Sequence, residues 1–215
     1  MTSARAAVSA AAALLFAVPF AHAQDSGAYL GGGLGRSHIR FDGGSFASNS
    51  PNITDSSDKR DTGYTAFLGY NLNRNWAVEG GYTNLGDFKY NYTGTGALAG
   101  TSGQADYKAR TWWLAGKGTI PLSERFDIFG KLGFADNRAR DAGSSSDPAM
   151  DAVLGTPYTR NKNHAGLLVG AGAEYHLNKQ VGVRLEYDDY GKFGTSGAQD
   201  LAHLGMWTAD VTYHF

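Results

Sequence analysis

Residues 166–190 read GLLVGAGAEYHLNKQVGVRLEYDDY, and the alternation in this stretch decides the fold. One face carries Leu167, Val169, Ala171, Ala173, Tyr175 and Leu177, then Val181, Val183, Leu185 and Tyr187 after Asn178-Lys179-Gln180. The other carries Glu174, His176, Arg184, Glu186 and Asp188. A period of two with a short polar break predicts a β-hairpin. With the break as its loop, Leu177 faces Val181 and Glu174 faces Arg184. The apolar face finds no partner layer elsewhere in the chain.

The same pattern repeats upstream and downstream. Strands are predicted over 27–41, 62–72, 76–90, 104–120 and 126–140, and a last one over 201–215, where Trp207, Ala209, Val211, Tyr213 and Phe215 share a face. With the two strands of the hairpin this makes eight. Long Ser/Asn/Gly-rich connections, 42–60, 91–103, 141–161 and 194–200, alternate with short ones, as in an up-and-down barrel. Aromatic residues fall into two groups. Tyr70, Trp76, Phe126, Tyr175, Tyr213 and Phe215 lie near the short turns; Tyr64, Tyr82, Trp112, Phe134 and Tyr187 lie higher. Two such girdles mark the two interfaces of a membrane barrel.

Composition supports export. Arg5, an apolar run over 7–20 and Ala21-His22-Ala23 form a signal-peptide pattern. The mature barrel domain is expected to span 24–215. Cysteine is absent, so neither disulfides nor thiolate metal sites contribute. The 30 glycines, only 5 prolines and mean hydropathy of −0.34 fit a β-rich chain, and no apolar run beyond the leader is long enough for a membrane helix. A formal net charge of −1 without a basic run argues against nucleic acid as a partner.

A sheet spans lipid only when it closes on itself. The fold class is therefore all-β, an eight-stranded antiparallel up-and-down transmembrane barrel in an outer membrane. Its apolar face meets lipid. Parity turns Glu79, Lys117, Lys131, Glu174, Arg184 and Glu186 into the lumen, three cations and three anions.

Several segments carry a resemblance to a known family: WAVEGGYTNLG over 76–86, Lys117 ahead of Ile120-Pro121, DIFGKLG over 127–133, GAEY over 172–175, RLEY over 184–187 and the final VTYHF. They resemble the transmembrane domain of outer-membrane protein A and its small porin-like relatives. The resemblance implies a lumenal salt-bridge network at Glu79, Lys117, Glu174 and Arg184 that blocks or gates a narrow pore. It also implies a C-terminal signal, Tyr213 and Phe215, read by the barrel-assembly machinery. The family's lysine in the first strand has no counterpart, since Gly33 holds that place, and the sequence stops at Phe215 without a peptidoglycan-binding domain. Cell-wall tethering is not expected.

The function expected is structural or interactive, with outer-membrane lipid, lipopolysaccharide included, as surroundings and extracellular ligands at the four long loops. Two alternatives remain. A lipid-modifying enzyme would draw on Ser196, Asp200, His203 and His164 around the loops; Ser and Asp there are more often turn formers. A soluble ligand carrier would place the apolar face inside. The six histidines show no ligand spacing, so neither a metal nor another cofactor is expected.

Overall fold

The computed structural model describes residues 26–41, 53–57, 60–96, 99–148, 151, 157–193 and 202–215. The signal-peptide region, Ser196 and Asp200 lie outside them. The strands are β1 (Gly27–Phe41), β2 (Ile53–Ser57), β3 (Arg60–Asn71), β4 (Trp76–Gly94), β5 (Ser102–Pro121), β6 (Phe126–Ser145), β7 (Tyr158–His176), β8 (Val181–Phe193) and β9 (Ala202–His214). Leaving β2 aside, each pairs antiparallel with two neighbours in the order β4-β3-β1-β9-β8-β7-β6-β5, and β5 pairs back onto β4. The sheet thus closes into the expected eight-stranded barrel, with every strand flanked on both sides. Among the described residues no helix is long and apolar enough to cross a membrane.

The opening hairpin folds in the register its sequence demands, with Glu174 opposite Arg184 and the Leu177 N–H on the Val181 carbonyl at 2.9 Å. The other two short turns follow the same plan. Leu72 and Leu122 donate to the carbonyls of Trp76 and Phe126, each at 2.9 Å. In all three a side chain at the next position closes the turn: Asn73 Oδ1 accepts from the N–H groups of Asn75 and Trp76, Asn178 Oδ1 from those of Gln180 and Val181, and Ser123 Oγ from that of Arg125. Asn in turns is favoured for this local bonding.

Lipid-facing positions carry the apolar alternation. Leu68, Leu114, Leu132, Leu167, Leu185 and Val211 all stand exposed on the outer face. Rings of the upper girdle touch in two groups, with centroids of Tyr82 and Trp112 4.9 Å apart and those of Tyr187 and Trp207 5.2 Å apart. At the lower rim Tyr213 and Phe215 meet edge to face at 5.3 Å.

The structure corrects the loop boundaries. The connection assigned to 42–60 contains β2, which pairs with the upper part of β4 beyond the end of β3. The connections assigned to 91–103 and 141–161 lose both ends to strand: β4 runs to Gly94, β5 starts at Ser102, β6 reaches Ser145 and β7 begins at Tyr158. Small polar residues read as loop because they lack alternation of hydrophobicity, yet cross-strand hydrogen bonding carries the ladder past the point where the lipid-facing pattern stops. Two bulges interrupt it, between Asn84 and Gly86 and between Asp189 and Lys192. Gly86 and Gly191 take positive φ there (93° and 73°), a conformation that favours glycine.

Candidate functional site

Eight strands leave a lumen that side chains fill. Along each strand every second residue points inward, so the contents of the lumen stack in floors from the short turns upward.

The lowest membrane floor holds the charges. Arg184, fully buried, reaches Glu79 at 3.0 Å, Glu174 at 3.1 Å and Glu186 at 3.4 Å. Lys117 lies 3.4 Å from Glu79 and 3.7 Å from Glu174. Lys131 pairs with Glu186, with Asp188 at 3.1 Å and with Glu79 at 3.6 Å. The six residues singled out by parity therefore form one connected cluster across β4, β5, β6, β7 and β8. Glu79 touches all three cations, and Arg184 touches three carboxylates.

Several members of this floor escape a reading of charge alone. Tyr29 donates its hydroxyl to Glu79, Thr212 donates to Glu174 at 2.6 Å and Asp188 takes a share of Lys131. Buried rings sandwich the cations: Arg184 lies 4.9 Å from the centre of Phe67 and 4.7 Å from that of Phe129, and Lys131 sits 4.4 Å over Trp113. Aromatic faces attract desolvated cations by their quadrupole. Glycine makes the room: a Cβ on Gly69 would collide with the Tyr29 ring, and one on Gly31 with Phe67. The same-parity rule that finds Glu186 also finds Asp188 and Tyr29. Gly33 faces Asp210 in register, and the Asp210 carboxylate fills the space that a side chain at position 33 would need. Thr208 donates to Asp210 at 2.7 Å.

Above the charges comes a neutral polar layer. Thr83 meets Thr65 and the Tyr190 hydroxyl, each at 3.0 Å, and takes the Trp113 indole N–H at 3.1 Å. Higher still, Ile39, Leu85, Phe88, Leu168, Phe193, Leu204 and Met206 are buried together. This apolar cap had no sequence counterpart, since inward leucine and outward leucine read alike until the register is known.

At the lower mouth, below the charges, the fold gathers histidines that sequence spacing left apart. Ligand atoms of Glu174, His176 and His214 all lie within 4.8 Å of one another. At the opposite end His203 Nδ1 lies 3.8 Å from Asp189.

On the outer wall above the girdle, Lys108 pairs in register with Arg140 and Arg110 with Arg138. All four are exposed and line one groove with Asn161 and Asn163. Lys108 holds Asp87 at 2.6 Å and Arg138 holds Asp136 at 2.7 Å.

A closed barrel, apolar outside and ion-paired within, defines an integral outer-membrane protein, and the comparisons agree. Residues 7–215 match the family described as outer membrane protein beta-barrel domain, and the chain belongs to it. It is 30% identical over 195 residues to outer membrane protein A of Yersinia pseudotuberculosis, covering 89% of this chain and 49% of that one. With outer membrane protein A of Klebsiella pneumoniae the figures are 27% over 197 residues, 89% and 52%. The chain thus spans about half the length of these relatives. Solved structures share the fold: Ail of Yersinia pestis (TM-score 0.52, 18% identity, 89% of this chain and 99% of that one) and Neisserial surface protein A (TM-score 0.53, 14% identity, 88% and 99%). The protein resides in the outer membrane of a Gram-negative bacterium.

Proposed function

We propose that this protein is a structural and surface-contact barrel, not an enzyme and not an open pore. The observation that carries the reading is the filled lumen, in which three cations and their carboxylates span the bore beneath an apolar cap. The leader over 1–23 is removed on export, and Tyr213 on the last strand with Phe215 just past its end, both exposed, serve as the assembly signal. Extracellular ligands meet the tips of the four long connections. In planar bilayers the refolded mature chain gives small or rare openings; large, stable conductance steps would overturn the plugged lumen.

A second feature favours phosphate-bearing outer-leaflet lipid, lipopolysaccharide, as the immediate partner. Like charges opposite each other across strands destabilise a sheet, yet Lys108 faces Arg140 and Arg110 faces Arg138. Arg110 stands two residues above Trp112 on β5 and Arg138 four above Phe134 on β6, with Lys108 and Arg140 two residues higher again, the height at which lipid head groups begin. Asp87 and Asp136 neutralise one member of each pair; Arg110 and Arg140 keep their charge for phosphate, which arginine engages with two parallel bonds. Changing all four to glutamine keeps most of the side-chain length and removes the charge. In vesicles containing lipid A this variant should lose a stabilisation that the parent shows over pure phosphatidylcholine vesicles, and the parent's gain should shrink with added salt. An equal gain in parent and variant would sink the assignment.

A further inference from the structure

We propose that the periplasmic mouth of the barrel is a binding site for one divalent transition-metal ion, of the zinc class, held by Glu174, His176 and His214. The three come from different parts of the wall. Glu174 and His176 end β7, and His214 ends β9, with only β8 between them. In the intervening strand the inward position is Gly182, paired with His176 on one side and Thr212 on the other. A Cβ there would lie 2.5 Å from Thr212 Oγ1 and 2.7 Å from Glu174 Oε1. Glycine therefore makes the room that the Thr212 hydroxyl and Glu174 Oε1 occupy, and lets that carboxylate oxygen come up beside the two imidazoles.

The protein's own hydrogen bonds leave this group incomplete. Nε2 of His214 is buried without a hydrogen-bond partner, 3.6 Å from Glu174 Oε1. Its ring is held by stacking on Tyr29, centroids 4.9 Å apart at 22°. His176 Nε2 bonds Asp127 Oδ2 at 2.8 Å. A carboxylate on one ring nitrogen is the outer partner that orients a ligating imidazole and raises its basicity, leaving the other nitrogen for the ion. Glu174 divides its work: Oε2 faces Arg184 and Lys117, while Oε1 takes Thr212 and looks toward His214.

Two imidazoles and a carboxylate are a borderline-soft set that suits zinc and leaves a fourth position for water. Ligand atoms around a tetrahedral zinc lie roughly 3.4 Å apart, so closing from within 4.8 Å takes a small turn of two rings at the ends of their strands. The side chains of His176 and His214 are 28% and 22% exposed, which gives an ion entry from the periplasm.

The test uses the mature chain without an affinity tag, refolded in lipid nanodiscs, stripped with chelator and titrated with zinc chloride by calorimetry. One ion per barrel is expected. His176→Ala and His214→Ala should each weaken binding at least about tenfold, and Asp127→Asn about 10–100-fold, whereas His164→Ala and His203→Ala leave it unchanged. Cobalt added to the unmutated chain should give the intense visible absorption of a four-coordinate site, a readout independent of how well any variant folds. No saturable zinc binding, or binding that survives loss of both His176 and His214, would overturn the site.

Discussion

Replacing Arg184 with alanine is expected to destabilise the barrel by roughly 3–5 kcal/mol, the cost of leaving buried charge without its partner, and to open the lumen to ions. Glu79, Glu174 and Glu186 all bond this one guanidinium. Lys117 and Lys131 remain, but Lys117 keeps only its longer contacts at 3.4 and 3.7 Å. The rings of Phe67 and Phe129 also lose the cation between them. Urea unfolding in lipid vesicles reads the stability, and planar-bilayer recordings read the opening. A companion variant, Arg184→Met with Glu174→Gln, removes charge from both sides and should recover part of the loss, because taking both charges of a buried pair away is tolerated far better than taking one. A loss under 1 kcal/mol in the single variant would mean that water, not arginine, neutralises these carboxylates.

Leu132→Arg should cost about 2–4 kcal/mol of barrel stability in a lipid bilayer, the depth-dependent price of a charge on the lipid face near the midplane. Leu132 stands 62% exposed between the lower and upper girdles, with Gly116 and Val169 as its cross-strand neighbours. Ser144→Arg, on the same outward face but above the girdle and with Gln104 as its cross-strand neighbour, should cost only about 0–1 kcal/mol. The comparison separates the membrane barrel from a soluble carrier, in which an arginine at position 132 would be buried or solvated regardless of lipid. Unfolding titrations of both variants in vesicles of one composition decide it, and equal costs would count against the orientation.

Much of this architecture is legible in the sequence because a barrel strand repeats every two residues and a short turn pins the register. Once Asn178 to Gln180 are taken as a turn, Glu174 must face Arg184, and the other four charges follow by counting. The period also separates adjacent rings. Trp112 and Trp113 are neighbours of the same type, yet one joins the girdle and the other lies under Lys131. The bulges at Asn84/Gly86 and Asp189/Lys192 switch the inward parity, so counting through them misplaces Phe88 and Phe193, two members of the apolar cap. The histidine pair was hidden for a different reason. His176 and His214 are separated by a whole hairpin and meet only because β8 is narrow at Gly182. Loop boundaries failed where hydrophobicity stops being informative, since strand above the membrane has no lipid to face.

That extra strand is unevenly distributed around the rim. β5 and β6 run for 20 residues and β4 and β7 for 19, whereas β8 and β9 have 13. At about 3.3 Å per residue and a tilt near 40°, one side of the rim stands roughly 15–20 Å taller than the other. The outer membrane is coated with sugar, so the two sides sit at different depths in that canopy. Whatever meets the cell from outside encounters the ridge between Ser102 and Ser145 first, while the tips of β8 and β9 lie in its shade.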